Sequence, residues 1–194
     1  MNFLKNIYIW TLKKAEHKNA KWYLSLISFA ESSFFPIPPD ILLIPMALAS
    51  KTKALFYAFI CTLSSVLGGI FGYAIGYFFF NSIGLYIVEF YHLENSFSIF
   101  ENYYKEFGIL IVLGAGITPF PYKFITIASG VFGLNIYLFV IISIIGRGLR
   151  FYLIAILLYF FGEKIKLFID KYFNILSITI FILLVGSVFI IRFL

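Results

Sequence analysis

Residues 54–88 read ALFYAFICTLSSVLGGIFGYAIGYFFFNSIGLYIV, and these 35 consecutive positions contain no charged side chain. About 20 apolar helical residues cross the hydrocarbon core of a bilayer, so this stretch predicts a transmembrane helix at 54–81. Two further segments support the same prediction, 134–161 and 172–192, although the former contains two arginines. The sequence therefore predicts three membrane-spanning helices.

The composition of the whole chain agrees with a lipid environment. Of its 194 residues, 62% are hydrophobic and 12% are charged, whereas a soluble domain is about 45–50% apolar and about 25% charged. Such a chain has too little polar surface for a water-soluble enzyme or binding module. The formal net charge of +6 indicates membrane topology and contact with anionic headgroups rather than binding of nucleic acid.

Two other apolar stretches, 22–50 and 107–132, are interrupted by prolines. The interrupting residues are Pro36, Pro38 and Pro39 in the first stretch, and Pro119 and Pro121 in the second. Proline removes a backbone donor and clashes with the preceding turn, so a continuous helix is not expected through either stretch. Each arm is only about 9 to 16 residues long, too short to span a bilayer. Both stretches are predicted to be re-entrant helix–break–helix hairpins.

The charges outside these segments predict the orientation. Lysines cluster in residues 1–21 and recur at Lys51 and Lys53, whereas residues 89–106 are acidic. Because positive segments stay on the cytoplasmic side, the N-terminus is predicted to be cytoplasmic, residues 89–106 to form an outer loop, and the hairpins to enter from opposite faces. Residues 1–21 are predicted to be a basic amphipathic interfacial segment or a basic tail that only orients the protein. A single membrane domain, 22–194, follows.

The two hairpins share a spacing that indicates an internal repeat. Three pairs of residues are each 83 positions apart: Pro36 and Pro119, Pro38 and Pro121, and Asp40 and Lys123. A long crossing follows each hairpin. This pattern is typical of an inverted-topology repeat, in which broken helices meet near the midplane around a transport site.

Ionisable residues inside the predicted membrane domain mark the candidate site. They are Glu31, Asp40, Lys123, Arg147 and Arg150. Such groups cost about 2.5–3.5 kcal/mol each on insertion scales and face protein or water. Three cations against two anions leave a surplus positive charge, which favours a cavity for an anionic ligand, namely a phosphate headgroup whose tail stays in the bilayer. The two carboxylates are candidate proton acceptors, because burial favours the neutral form. The alternative is a purely structural ion-pair cluster.

Small residues spaced by four follow one face of the first crossing. They include Gly68, Gly72 and Gly76. Such a stripe lets helices approach closely. We expect it to pack the repeat halves together or to form the seam of a homodimer.

Three motifs together resemble the DedA superfamily, also called the VTT or SNARE-associated domain, and particularly its YqaA-like branch. They are ESSFFPIPPD at 31–40, the glycine-rich stretch at 68–76, and TPFPYKFITIASG at 118–130. The resemblance covers roughly residues 20–165. It implies a bacterial inner-membrane protein with two oppositely oriented re-entrant hairpins that moves or scrambles lipids, with undecaprenyl phosphate among the proposed cargoes and the proton-motive force implicated.

The resemblance also implies roles for particular residues. Glu31 and Asp40 match the hairpin acids of the family, and Lys123 is similar to the second basic residue of its other hairpin. Ile117 stands about where the first basic residue would be, and we hypothesise that an arginine of the second crossing compensates for it.

The resulting prediction is an all-α membrane protein with a flippase-like or scramblase-like function toward a phospholipid or polyprenyl-phosphate-type lipid. Two alternatives stay open: a proton-coupled carrier of small ions or solutes, and a non-transporting scaffold for membrane homeostasis. An enzyme is not predicted, because His17 and His92 lie outside the apolar segments and no metal-ligand spacing or Ser–His–Asp set is present. No cofactor or metal is expected.

Overall fold

The computed structural model describes residues 19–164, apart from positions 36, 91, 93, 119 and 163, and every regular element in this part of the chain is helical. The predicted interfacial residues 1–18 and the predicted crossing at 172–192 lie outside the described residues.

Two of the helices are long and apolar enough to cross a membrane. They are Lys51–Phe79, with 29 residues, and Ile136–Gly162, with 27 residues. A soluble protein would bury such a helix in its core, yet only 28% of the apolar window of Ile136–Gly162 is buried. Exposed Leu, Ile, Phe and Tyr side chains along both helices present an apolar surface outward. The structure is therefore all-helical, with two candidate membrane spans and a surface that suits lipid.

The first half of the chain forms a broken helix followed by the first long helix. α1 spans Ala20–Ser33 and α2 spans Asp40–Ala49. Residues Lys51–Lys53 form a 3-10 turn, and α3 continues over Ala54–Phe79. The predicted interruption of the 22–50 stretch is present, with Pro38 and Pro39 before α2. Pro36 lies outside the described residues.

The second half repeats this arrangement after a short connection. A π-helical turn at Phe80–Gly84 and α4 at Leu85–Phe90 lead to α5 at Glu94–Ile117. The chain then breaks, and α6 at Tyr122–Val131 precedes α7 at Ile136–Gly162. Pro121 stands immediately before α6, whereas Pro119 lies outside the described residues.

The acidic segment differs from the expected loop. Of residues 89–106, positions 94–106 belong to α5 and are helical. The ion pair between Glu101 and Lys105, 2.7 Å apart at i and i+4, is of the type that stabilises a helical surface. The first arm of the second broken helix is therefore longer than predicted.

The helix boundaries follow the spacing of 83 residues. Shifted by 83, α3 would cover 137–162, and α7 is observed at Ile136–Gly162. Shifted likewise, α2 would cover 123–132, and α6 is observed at Tyr122–Val131. The two halves therefore share the order and the lengths of these helices.

The first break points into the helix bundle from the end at which α3 begins. Ser28 Oγ donates to the carbonyl of Cys61 at 2.7 Å, and further along α1 Ser33 Oγ donates to that of Gly68 at 2.9 Å. α1 and α3 consequently run in the same direction. Because α2 joins the end of α1 to the start of α3, it returns the chain to the end from which α1 came.

The second break points into the bundle from the opposite end. Tyr122, at the start of α6, lies beside Gly69, and Ile127 lies beside Gly76. α6 thus runs in the same direction as α3 and returns the chain to the end at which α3 finishes and α7 begins. α7 then runs back, antiparallel to α3.

The glycine stripe of α3 packs inside the chain. A Cβ on Gly68 would collide with the carbonyl oxygen of Phe29 in α1, and a Cβ on Gly76 would collide with that of Ile127 in α6. Gly72 faces the Thr126 hydroxyl in the same way. Of the two expectations for this stripe, the structure therefore shows packing between the halves.

Candidate functional site

Arg147 and Glu31 form a buried ion pair between the two halves. The Arg147 side chain is 2% exposed and that of Glu31 is 11% exposed. Arg147 Nη2 donates to Glu31 Oε2 at 2.5 Å, and its Nε donates to Ser65 Oγ at 2.6 Å. Glu31 lies in the last turn of α1, Ser65 lies midway along α3 and Arg147 lies in α7. One guanidinium thus joins three helices.

Two serines complete the hydrogen bonding of this pair. Ser32 Oγ lies 2.6 Å from Ser65 Oγ and also donates to Glu31 Oε2 at 3.1 Å. Both hydroxyls are fully buried. A buried charge is tolerated only when its partners satisfy it. The serines therefore provide the polar surroundings that the Arg147–Glu31 pair needs.

Two aromatic rings enclose the Arg147 guanidinium. Its Cζ lies 4.9 Å from the ring centroid of Tyr122 and 4.7 Å from that of Phe151. The Tyr122 hydroxyl is itself held at 2.6 Å from Ser143 Oγ. Rings at these distances attract the cation through their quadrupoles. The rings thus hold the planar faces of the Arg147 guanidinium, and the hydrogen bonds to Glu31 and Ser65 hold its edge.

Arg150 forms a second ion pair that contacts both breaks. Its Nη2 donates to Oδ2 of Asp40, the first residue of α2. Its Nη1 donates to the carbonyl of Thr118, in the second break, at 2.5 Å. The side chains of Arg150 and Asp40 are 16% and 19% exposed. Asp40 Oδ1 and Arg150 Nε have no hydrogen-bond partner within the described part of the chain.

The two pairs differ in how completely they are satisfied. The Glu31–Arg147 pair is sealed by hydroxyls and rings, whereas the Asp40–Arg150 pair is more accessible and keeps one donor and one acceptor unused. Both unused atoms are buried, so a further polar group would reach them only when the Asp40–Arg150 pair opens, which leaves the Glu31–Arg147 pair in place.

A hydroxyl also links the two broken helices directly. Thr126 Oγ1 of α6 donates to the carbonyl of Ser32 at 2.9 Å. That carbonyl belongs to the last turn of α1, where the helix leaves its carbonyls without intrahelical partners. The end of α1 is therefore held against α6, next to the Glu31–Arg147 pair.

Lys123 does not join the other four charges. Its side chain is half-buried, its ammonium lies 5.5 Å from the ring centroid of Phe124, and it has no ion pair with any described residue. The two arginine–carboxylate pairs are each neutral. The surplus positive charge expected from the sequence is therefore that of Lys123.

Sequence reasoning selected four residues that the structure brings together as two pairs, but it missed their polar neighbours. Ser65 and Thr126 were not selected, although both place a hydroxyl in an apolar segment. Ser32, which adjoins Glu31 in the sequence, was not selected either. A hydroxyl in an apolar helix is a weak signal, because it also bonds readily to its own backbone. Among the described residues, no group of three or more His, Cys, Asp and Glu side chains lies close enough together to hold a metal ion.

Fold and site define an all-helical protein with two candidate membrane spans and two interior arginine–carboxylate pairs. An uncharacterized protein of Haemophilus influenzae is 34% identical to it over 192 residues, which is 99% of this chain and 100% of that protein. An uncharacterized protein of Histophilus somni, described as a homolog of HI0703, is 34% identical over 167 residues, 84% of this chain and 85% of that protein. The chain belongs to the family of these two proteins. No known family profile and no solved structure matches it.

Proposed function

We propose that this chain is a membrane lipid transporter of the flippase or scramblase kind, related to the DedA superfamily, that moves a phosphate-bearing lipid between leaflets. The observation that carries the proposal is the Asp40–Arg150 pair, which connects both helix breaks and retains unused hydrogen-bonding capacity. The cargo class is a phospholipid or polyprenyl-phosphate-type lipid, and the location is the bacterial inner membrane with a cytoplasmic N-terminus.

The proposed topology makes the two broken helices re-entrant hairpins. The directions of α1 and α6 relative to α3 support this, because each break points into the bundle from a different end. The broken arms leave backbone groups that only a polar interior can satisfy. With the predicted C-terminal crossing, the chain would span the membrane three times.

Exchange of ionic partners supplies a mechanism for moving the headgroup. A lipid phosphate accepts two parallel hydrogen bonds from a guanidinium, as a carboxylate does. In the described conformation Asp40 accepts from one arm of that fork, Nη2, while Nη1 donates to the Thr118 carbonyl. Addition of a proton to the Asp40 carboxylate would release the guanidinium to bind the phosphate, and loss of that proton would expel the phosphate. Because Arg150 also bonds the Thr118 carbonyl, this exchange acts on the second break.

The Glu31–Arg147 pair acts as a fixed support in this scheme. The side chains of this pair are less exposed than those of Asp40 and Arg150. Its hydroxyl and ring contacts leave no open side for a phosphate. It stabilises the approach of α1, α3 and α7 while the other pair exchanges.

The test is transport in liposomes containing the purified protein and a fluorescent phospholipid whose exposure to an external quencher reports its leaflet. We expect Arg150→Gln to slow translocation at least about ten-fold, because about 1.4 kcal/mol of lost binding already gives that factor. Asp40→Asn should uncouple translocation from a proton gradient. Glu101→Gln, which breaks the exposed pair with Lys105, is the matched control and should leave the rate unchanged.

The outcomes also separate the alternatives. Wild-type rates in Arg150→Gln would remove this arginine from the lipid path. If that variant keeps proton-dependent uptake of a small solute while lipid stays immobile, the chain is a solute carrier. If the wild-type protein moves lipid no faster than protein-free liposomes do, the neutral pairing of the charges favours the scaffold.

A further inference from the structure

A groove of about 210 Å³ lies between α1 and α3 on the outer surface of the bundle. It is lined by Trp22, Ser25, Leu26, Phe29, Ser64 and Leu67. The four residues from α1 are spaced i, i+3, i+4 and i+7 and form one stripe of that helix. Glu31 lies on the buried face of α1, with Leu24 and Ser28. The groove is therefore separate from the charged pairs.

The wall of the groove is apolar except for one pair of hydroxyls. Ser25 Oγ and Ser64 Oγ lie 2.7 Å apart and share one hydrogen bond. Two hydroxyls carry two hydrogens, so one donor remains after this bond is made. Within the described residues neither hydroxyl has another hydrogen bond. An acceptor lying in the groove would satisfy the remaining donor.

Lys21 and the exposed Trp22 lie at the end of the groove nearest the N-terminus of α1, which we call its upper end. The Lys21 ammonium lies 5.8 Å from the Trp22 ring centroid, and Trp22 is 68% exposed. Tryptophan side chains favour the level of the lipid headgroups, and lysines near the surface attract anionic lipids. Ser25 lies three residues further along α1, which is about 4.5 Å deeper. The hydroxyl pair thus sits just below the headgroup level.

The lower part of the groove suits an acyl chain. Leu26 and Leu67 flank it, and the Phe29 ring packs against Phe71 with centroids 5.8 Å apart. From top to bottom the surface offers a cation, a hydroxyl donor and an apolar channel. An anionic glycerophospholipid presents a phosphate, ester carbonyls and an acyl chain in the same order.

We infer that this groove is a binding site for one anionic glycerophospholipid. Its phosphate lies against Lys21, an ester carbonyl accepts the free hydroxyl of the Ser25–Ser64 pair, and one acyl chain lies along Phe29 and Leu67. The inference rests on the proposed membrane location and is independent of lipid movement at the charged pairs. The bound lipid would hold α1 against α3 at the face that the charged pairs do not reach.

Fluorescence of Trp22 gives a direct test. The chain has two tryptophans, so Trp10→Phe leaves Trp22 as the reporter in the full-length protein. Purified protein is titrated with phosphatidylglycerol or phosphatidylcholine carrying bromine on the acyl chains, which quenches nearby tryptophan. We expect half-quenching at an about five-fold lower mole fraction of the anionic lipid, since one lysine contributes about 1 kcal/mol. Lys21→Gln should abolish this preference, and Lys53→Gln, which removes an exposed lysine outside the groove, should keep it.

The serine pair has a separate readout. Ser25→Ala together with Ser64→Ala should weaken quenching by both lipids several-fold, whereas Ser82→Ala, an exposed serine away from the groove, should not. Equal quenching by the two lipids in the parent protein would overturn the inference. An equal loss of preference in Lys21→Gln and Lys53→Gln would also overturn it, because the attraction would then belong to the whole basic surface. Neither result bears on translocation, which is measured in the liposome assay.

Discussion

Removal of the Arg147 charge should be among the most damaging single changes to the stability of this chain. In Arg147→Gln, the Glu31 carboxylate would remain buried with only the Ser32 hydroxyl directed at it. Breaking a buried ion pair in this way costs about 3–5 kcal/mol, because one charge stays desolvated without a partner. Glu31→Gln leaves the Arg147 guanidinium unpaired but still between two rings. The stability lost in this variant should therefore lie at the lower end of that range.

The double variant Glu31→Gln with Arg147→Gln should recover much of this loss, since two neutral amides can bond each other. We expect a coupling energy of about 1–3 kcal/mol between the two sites.

Unfolding in mixed micelles of a mild detergent and sodium dodecyl sulfate, followed by circular dichroism, measures these free energies. Glu101→Gln is the matched control, because it breaks an ion pair whose side chains are 36% and 63% exposed. An exposed i, i+4 pair contributes only about 0.3–0.5 kcal/mol. Losses below about 1 kcal/mol in both single variants, or strict additivity in the double variant, would refute the supporting role of the Glu31–Arg147 pair.

Further substitutions test the packing among α1, α3 and α6, in the same micelles. Gly68→Ala should destabilise the chain by about 1–3 kcal/mol, because the new methyl group collides with the Phe29 carbonyl. Gly114→Ala, with no atom within 4 Å of the added Cβ, should be neutral or stabilising by up to about 1 kcal/mol; equal effects of the two substitutions would contradict the packing of the stripe. Thr126→Val should cost about 1–3 kcal/mol, because the Ser32 carbonyl loses a buried donor, and Thr126→Ser should retain most of the stability.

The helical framework was largely predictable because it depends on local patterns. Long apolar runs located both long helices to within a few residues, and prolines located both breaks. The expected loop at 89–106 was wrong for positions 94–106, because its acidic residues were treated as a solvated connection. The i, i+4 arrangement of Glu101 and Lys105 was the signal for helix in that segment.

The pairing of the charges was not predictable, because it depends on contacts between distant parts of the chain. The partners of Arg147 and Arg150 lie 116 and 110 residues away in sequence. The spacing of 83 residues aligned Asp40 with Lys123, but residues that are equivalent in a repeat occupy matching places in different halves and need not touch. The place of the arginines inside the predicted membrane domain indicated that they need partners. Which carboxylate each arginine binds depends on where α7 passes the two breaks.

Lys123 offers the clearest separation of a functional cation from a structural one. Each arginine–carboxylate pair is neutral in itself, and Lys123 has no ion pair among the described residues. Lys123→Gln should therefore leave the free energy of unfolding within about 0.5 kcal/mol of the wild type, as for most changes away from a paired site. If Lys123 attracts the phosphate toward Arg150, the same variant should slow translocation about five-fold or more, and Lys123→Arg should restore it. Lys105→Gln, which removes an exposed cation of α5, is the control. If Lys123→Gln instead lowers the free energy of unfolding by clearly more than about 0.5 kcal/mol while translocation is little changed, Lys123 belongs to the structural cluster.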